Sequence, residues 1–417
     1  MNRRIFLRNA GMAMVGVGAA PLWLQRALYA QDRSEARKKV LVAIFQRGAA
    51  DGLNIVVPHG DPDYYKLRPT IAIPWPSANI AKEDSVIDLD GTFGLHPSLA
   101  DLKPIWDARQ LAVVHAVGSP DPTRSHFDAQ DYMESGTPGL KATSDGWLNR
   151  ALPPAPAPLS PVRAVSIGAT LPRTMRGANS AIAVEALSNF KVGNAAAGSV
   201  LQSLYSGSND QVLNGTGKET FDAVSLLQSI QKAPYQPSGG AVYPRGRFGD
   251  SMRQIAQLIK ANAGVEVAFA DIGGWDHHVN EVGARASVGP LANLLRDFGQ
   301  GLAAFHQDLG TRMEDVVVVT MSEFGRTAQE NGNRGTDHGH ANAMFVMGGP
   351  VRGGEVCGKW PGLAKEQLHE GRDLQLTTDF RDVLGELVTR HMGNRSLQTV
   401  FPNFQASVRN FRNVLRT

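Results

Sequence analysis

The chain alternates short apolar runs with longer segments whose apolar residues recur at helical spacing. Uninterrupted runs at Val40–Phe45, Leu111–Val117, Val162–Gly168, Val265–Ile272, Val316–Val319 and Ala343–Met347 predict strands buried on both faces, as in a mostly parallel sheet. Helical spacing predicts helices over 93–102 (with Pro97 near its start), from Ser125 onward, and over 221–232, 247–262, 291–309 and 380–391. Ser125 followed by Asp128 reads as an N-cap, and Thr377-Thr-Asp379 as another. Residues 58–90 read as a surface excursion, and Leu152–Pro158 as a stiff proline-rich connection. The Gly/Ser/Asn-rich stretch 189–240 reads as an insertion or cap. Strand-helix alternation of this kind predicts an α/β fold, a doubly wound and mostly parallel sheet flanked by helices.

The polar residues change the picture because they gather where the strands end. Ligands of open α/β sheets sit at the carboxyl ends of the strands. Four predicted strands finish in groups that bind metals or anions: Asp51 after the first, Thr123-Arg124-Ser125-His126 after the second, Asp276-His277-His278 after Val265–Ile272, and Glu323 after Val316–Val319. A fifth group, Asp337, His338 and His340, lies between glycines just before the last run. Carboxylates and imidazoles that converge are the raw material of a divalent metal site, and two ions about 4 Å apart can clamp the oxygens of a displacement at phosphorus or sulfur. A shared site requires Asp51, Asp276, His277, Glu323, His338 and His340 to lie within a sphere roughly 10 Å across. Ser125, with Thr123 second, is the candidate nucleophile at a helix start, where backbone N–H groups favour an oxyanion, and Arg124 is the candidate partner for anionic oxygens.

Composition narrows the chemistry. The single Cys357 excludes an internal disulfide and cysteine-rich zinc sites, so a metal must be held by His, Asp, Glu, hydroxyl or water. The N-terminus, Arg3-Arg4 followed by a Gly/Ala-rich apolar segment, has the pattern of a twin-arginine export signal ending near Ala30. Removing those 30 residues from 417 leaves 387, and removing their four arginines takes the formal charge from +3 to −1. That balance points away from nucleic acid. The expected partners are the twin-arginine translocase during export and a small anionic ester, with no stable membrane span after cleavage and a single domain over 38–417.

Several motifs together resemble one family. Phe45-Gln-Arg-Gly-Ala-Ala-Asp-Gly, Arg124-Ser-His-Phe-Asp-Ala-Gln130, Gly273-Gly-Trp-Asp-His277, Ser322-Glu-Phe-Gly-Arg-Thr327 and Asp337-His338 resemble the exported bacterial proteins called domain of unknown function 1501, within the alkaline phosphatase and sulfatase-like superfamily. The resemblance implies a binuclear metal site around a hydroxyl or modified-cysteine nucleophile. It assigns Asp51 to the first-strand metal ligand and the Thr123–Ser125 region to the nucleophile. Where the superfamily ends a late strand in Asp-His-Gly or Asp-Asn-Gly, this chain has Ser322-Glu323-Phe324-Gly325, which keeps a carboxylate and loses an imidazole. Asp276, His277, His338 and His340 are then expected to complete the ligands, with His126 and Asp337 nearby, for zinc or alternatively manganese, calcium or magnesium, one ion or two. Pro120 stands at the sulfatase signature's essential Cys or Ser, so formylglycine chemistry is not expected. Two classes of function follow: an exported metal-dependent hydrolase of a phosphate, phosphonate or sulfate ester, or a non-catalytic exported binding or assembly protein that keeps the fold.

Overall fold

In the computed structural model, which describes residues 38–77, 79–155, 159–189, 211–232 and 234–416, the first apolar run becomes strand β1, Val40–Arg47. Its alternate residues serve opposite faces: Val40, Val42 and Ile44 enter one apolar cluster, and Leu41, Ala43 and Phe45 another. A strand without a polar face must be covered on both sides, and each fully buried aliphatic side chain contributes about 1.5–3 kcal/mol. The remaining strands of the sheet are β2 (Leu111–Gly118), β3 (Ala164–Ile167), β4 (Ile182–Val184), β5 (Val267–Gly273), β6 (Val316–Ser322), β7 (Asn342–Gly348), β8 (Val356–Cys357) and β9 (Thr378–Asp379). Their order is β8-β2-β7-β6-β1-β5-β3-β4, with β9 also paired to β2.

β7 runs antiparallel to β2 and β6, and the other pairings in this sheet are parallel. The fold is therefore the mostly parallel α/β sheet that the apolar runs predict, with one reversed strand. That reversal matters for the site. β1, β2, β5 and β6 all deliver their carboxyl ends to one edge of the sheet, and β7 starts at the same edge, Asn342 pairing with Val117. The loop before β7 thus joins the turns after the parallel strands.

Helices cover both faces. Helices α3 (Arg247–Lys260) and α4 (Pro290–Leu309) place Met252, Ile255, Leu295 and Phe298 on the first face, and α5 (Phe380–Glu386) places Phe380, Val383 and Leu384 on the second. The Asp379 side chain caps α5 by accepting from Arg381 N–H, as predicted, but after Glu386 the helix widens into a π turn over Leu387–His391. Near Pro97 the predicted helix starts on time as a 3-10 segment, Pro97–Leu102, before an α-helical turn at Lys103–Asp107. Pro104 lacks the N–H that would extend one continuous ladder across that junction. Helix α1 is His126–Ser135, and α2 is Gln211–Ile230. Ala223, Leu226 and Leu227 of α2 join the first apolar cluster, so this part of the predicted insertion packs onto the domain.

The stretch 58–90 departs from its expectation. It buries Tyr64, Ile71 and Ile73, and it carries the fully buried Arg68 toward the sheet edge. Proline and short polar pieces made it read as surface, yet its apolar residues are spaced to fill one side of a loop. The predicted export signal lies outside the described residues. Among the described residues, no helix is long and apolar enough to cross a membrane.

Candidate metal centre

Helix α1 begins one residue after the Ser125 cap, whose hydroxyl accepts from Asp128 N–H at 3.5 Å, and ends at Gly136 in the left-handed region (φ 71°). His126 and Gln130 stand four residues apart and so share a helix face. Both donate to one oxygen, Glu323 Oε1, at 2.9 Å each, and Gly48 N–H reaches the same oxygen at 2.8 Å. Burial pushes the Glu323 carboxyl up, but these donors outweigh it and hold it below the ordinary carboxylate range. The hydrogen bond to Glu323 in turn raises the pKa of His126, against the opposing effect of burial.

Two further imidazoles are anchored in the same way. His338 Nδ1 donates to the Arg124 carbonyl at 2.9 Å, and His278 Nδ1 lies 3.1 Å from Asp337 Oδ1. A carbonyl or carboxylate oxygen can only accept, so all three Nδ1 atoms carry the proton and all three Nε2 atoms of the neutral rings present lone pairs. Those lone pairs meet. His338 Nε2 lies 3.0 Å from His126 Nε2 and 3.0 Å from His278 Nε2. Asp276 Oδ1 lies 3.0 Å from His278 Nε2, 3.5 Å from His338 Nε2 and 3.7 Å from His126 Nε2. The donor atoms of His126, Asp276 and His338 all fall within 4.8 Å of one another.

Lone pairs facing each other at 3.0 Å repel unless a proton or a metal cation lies between them. Ligands held about 2.0–2.1 Å from a tetrahedral zinc ion are roughly 3.3 Å apart, the scale seen here. Each ring is also oriented by an oxygen on its far nitrogen, the outer-shell arrangement that metal-binding histidines use. The residues fit one divalent ion that accepts nitrogen ligands. Solvent reaches the centre: the side chains of Asp276 and His278 are 47% and 39% exposed.

The turns that carry these ligands are stitched by Arg326, whose side chain is fully buried. Nε donates to Ala49 O at 2.7 Å, Nη1 to Thr336 O at 3.1 Å, and Nη2 to Gly48 O at 2.9 Å and Trp275 O at 3.1 Å. Nη2 also binds Asp276 Oδ1 at 2.5 Å, and Nη1 lies 3.5 Å from His278 Nε2. Burial raises the Asp276 pKa, but Arg326 prevails and holds it below its usual value. Gly48 (φ +117°) lets the β1 turn pass against this assembly, since a Cβ there would fall 2.8 Å from Asp276 N. Phe324, where an imidazole was missing, lies under the rings, 5.0 Å from His126 and 5.1 Å from His338 between centroids.

Of the residues expected to act together, His126, Asp276 and His338 converge, and His278 joins them. Glu323 and Asp337 hold histidine protons. His277 turns inward: Asp276 and His278, two apart, face the centre, while His277 is buried, its pKa pushed down to about 4 by that burial. His340 is also buried and stacks on His369 at 4.5 Å. Asp51 lies outside the converging group, both its oxygens taken by Arg68. The Arg124 guanidinium is bound to Asp373 and Glu370, so what it gives the centre is its carbonyl. Ser125 caps α1, and the Thr123 hydroxyl accepts from Ser125 N–H at 3.2 Å. Sequence reasoning missed the roles of His278 and Gln130. A two-residue alternation through Asp276-His277-His278 and the four-residue spacing from His126 would have pointed to them.

The outer-shell role of Glu323 has a measurable consequence. Glu323→Gln, which removes the charge but keeps the shape, is expected to weaken the affinity for a divalent metal ion about 10- to 100-fold. Competition with a chromophoric chelator reads this directly, and unchanged affinity would remove Glu323 from the centre.

The family model described as "Protein of unknown function (DUF1501)" matches residues 38–400. No curated protein matches the chain. Among solved structures, the chain is similar to the sulfatase PsFucS1 from Pseudoalteromonas sp., with 13% identity, TM-score 0.37, and coverage of 90% of this chain and 72% of that one. It is similar to the C-terminal periplasmic domain of EcEptC from Escherichia coli in complex with Zn, with 10% identity, TM-score 0.34, and coverage of 75% and 73%. A third is the alkaline phosphatase from the Antarctic bacterium TAB5, with 10% identity, TM-score 0.29, and coverage of 76% and 92%.

Proposed function

We propose that this chain, which belongs to the DUF1501 family, is an exported hydrolase of a phosphate, phosphonate or sulfate ester that depends on a divalent metal. One observation carries the reading: the Nε2 atoms of His126 and His338, on rings whose Nδ1 is tethered, lie with Asp276 Oδ1 within 4.8 Å of one another at a solvent-reached point, and His278 Nε2 lies 3.0 Å from both His338 Nε2 and Asp276 Oδ1. A nitrogen-rich set with one carboxylate favours zinc over calcium or magnesium, which prefer oxygen. An ion bound there supplies Lewis-acid polarisation of an ester oxygen.

The chain's own groups do the rest. Glu323, Asp337 and the Arg124 carbonyl keep the three rings in one tautomer and orientation. Arg326 holds Asp276 toward them. The start of α1 offers backbone N–H groups and a positive dipole end to an anionic group beside His126. Ser125, exposed at that helix start, is the candidate nucleophile.

The test is hydrolysis of 4-nitrophenyl phosphate, bis(4-nitrophenyl) phosphate, 4-nitrophenyl phenylphosphonate and 4-nitrophenyl sulfate by the zinc-loaded chain. At least one is expected to turn over, to stop on chelation and to resume with zinc. Turnover of all four no faster than by the His338→Ala variant would contradict the reading. In the same assay, a Ser125→Ala protein that binds zinc and loses turnover assigns the nucleophile, whereas near-normal turnover leaves Ser125 as a cap. Export rests on Arg3 and Arg4. Changing both to lysine is expected to leave precursor in the cytoplasm, and an unchanged periplasmic yield would argue against the twin-arginine route.

A further inference from the structure

Asp51 follows β1, where the resemblance called for a ligand to one of two metal ions, yet the cation it meets belongs to the chain. Arg68, fully buried, forks onto the carboxylate: Nη2 donates to Oδ1 at 3.0 Å and Nη1 to Oδ2. The same guanidinium donates from Nε to Ala328 O at 3.0 Å and from Nη2 to Thr327 O at 2.8 Å. The Tyr64 ring lies 6.0 Å from its carbon.

A second acid completes the group. Glu281 is fully buried, and burial together with the Asp51 charge beside it pushes its carboxyl well above the usual range. Thr336 Oγ1 donates to Glu281 Oε2 at 3.0 Å. The cluster therefore sets one fully buried guanidinium on the Asp51 carboxylate, with the Glu281 carboxyl beside them. An ion bound by Asp51 would either displace the Arg68 N–H bonds or set a second cation beside a buried guanidinium on the same carboxylate, and interiors strongly disfavour both. The residues around Asp51 do not fit a second metal.

We propose that Arg68 stands permanently where a second ion would sit, so that the centre takes one divalent ion only, at His126, Asp276, His278 and His338. This rests on the metal-centre reading above. Arg68 is then a positioning residue: it fixes the turn after β1 through Asp51, and the segment after Arg326 through Thr327 and Ala328. Thr327 in turn pairs with Asp337, N–H to carbonyl at 3.0 Å, next to His338.

The experiment is zinc titration of the metal-stripped full chain, read by chelator competition and elemental analysis. The wild-type chain is expected to saturate at one zinc per chain. The Asp51→Asn/Arg68→Met variant, which removes both charges together and loosens the turns they hold, is expected also to bind one, more weakly than wild type. Saturation of the wild type at two, with the double variant falling to one, would overturn the inference while leaving the hydrolase reading standing. Saturation at zero would sink both. The wild-type stoichiometry decides the matter even if the double variant does not fold.

Discussion

Replacing His338 by alanine is expected to abolish zinc binding and the hydrolysis that depends on it, in a protein that still folds. His338 is the ring whose Nε2 lies 3.0 Å from both other histidines, so its loss removes the middle of the donor set. Outer-shell partners of a metal typically change affinity 10- to 100-fold, and loss of a direct ligand is expected to exceed about 100-fold. The fold loses much less. The His338 side chain is 26% exposed, and its Nδ1 hydrogen bond to the Arg124 carbonyl contributes about 1 kcal/mol. Chelator competition and thermal melting read the two quantities separately. Normal zinc affinity in the variant would show that the centre is elsewhere.

Replacing Arg326 by methionine is expected to have the opposite balance, with stability and metal binding failing together. The guanidinium satisfies the carbonyls of Gly48, Ala49, Trp275 and Thr336 and pairs with Asp276. Methionine fills much of the volume and offers no donor, leaving several buried acceptors unsatisfied at about 1–3 kcal/mol each before relaxation or water entry. A net loss of at least about 3 kcal/mol is expected, read as a lower denaturation midpoint. Arg326→Lys is not expected to restore it, because one ammonium cannot reach carbonyls on three separate turns in the fork geometry. A methionine variant that melts normally and binds zinc normally would remove Arg326 from the assembly.

The six longer strands were legible because each is largely buried on both faces and therefore reads as an uninterrupted apolar run, whereas the short strands β4, β8 and β9 are partly exposed and too short to make such a run. The caps at Ser125 and Asp379 were legible because they are local chemistry. The site's location followed from strand ends and glycines, a property of every parallel sheet. Its membership was harder, for physical reasons. His277 and His278 are chemically the same, and only the turn after β5 decides that one points inward and the other outward. Arg68 sits 17 residues from Asp51 in a stretch whose prolines suggest surface, so nothing local announces their ion pair. Glu323 carries the chemistry of a ligand, and its role passed to the outer shell because α1 brings His126 and Gln130 onto its oxygen. The missing imidazole at Phe324 is supplied from the loop before β7, which a reversed strand returns to the same edge.

X-ray absorption at the zinc edge of the loaded chain reads the imidazole ligands themselves. A nitrogen and oxygen shell at about 2.0–2.1 Å is expected, without sulfur, carrying the outer-shell scattering of three imidazoles, and falling to two or to no bound metal in His338→Ala. A spectrum with one imidazole or none, or one unchanged by that substitution, would contradict the three-histidine centre.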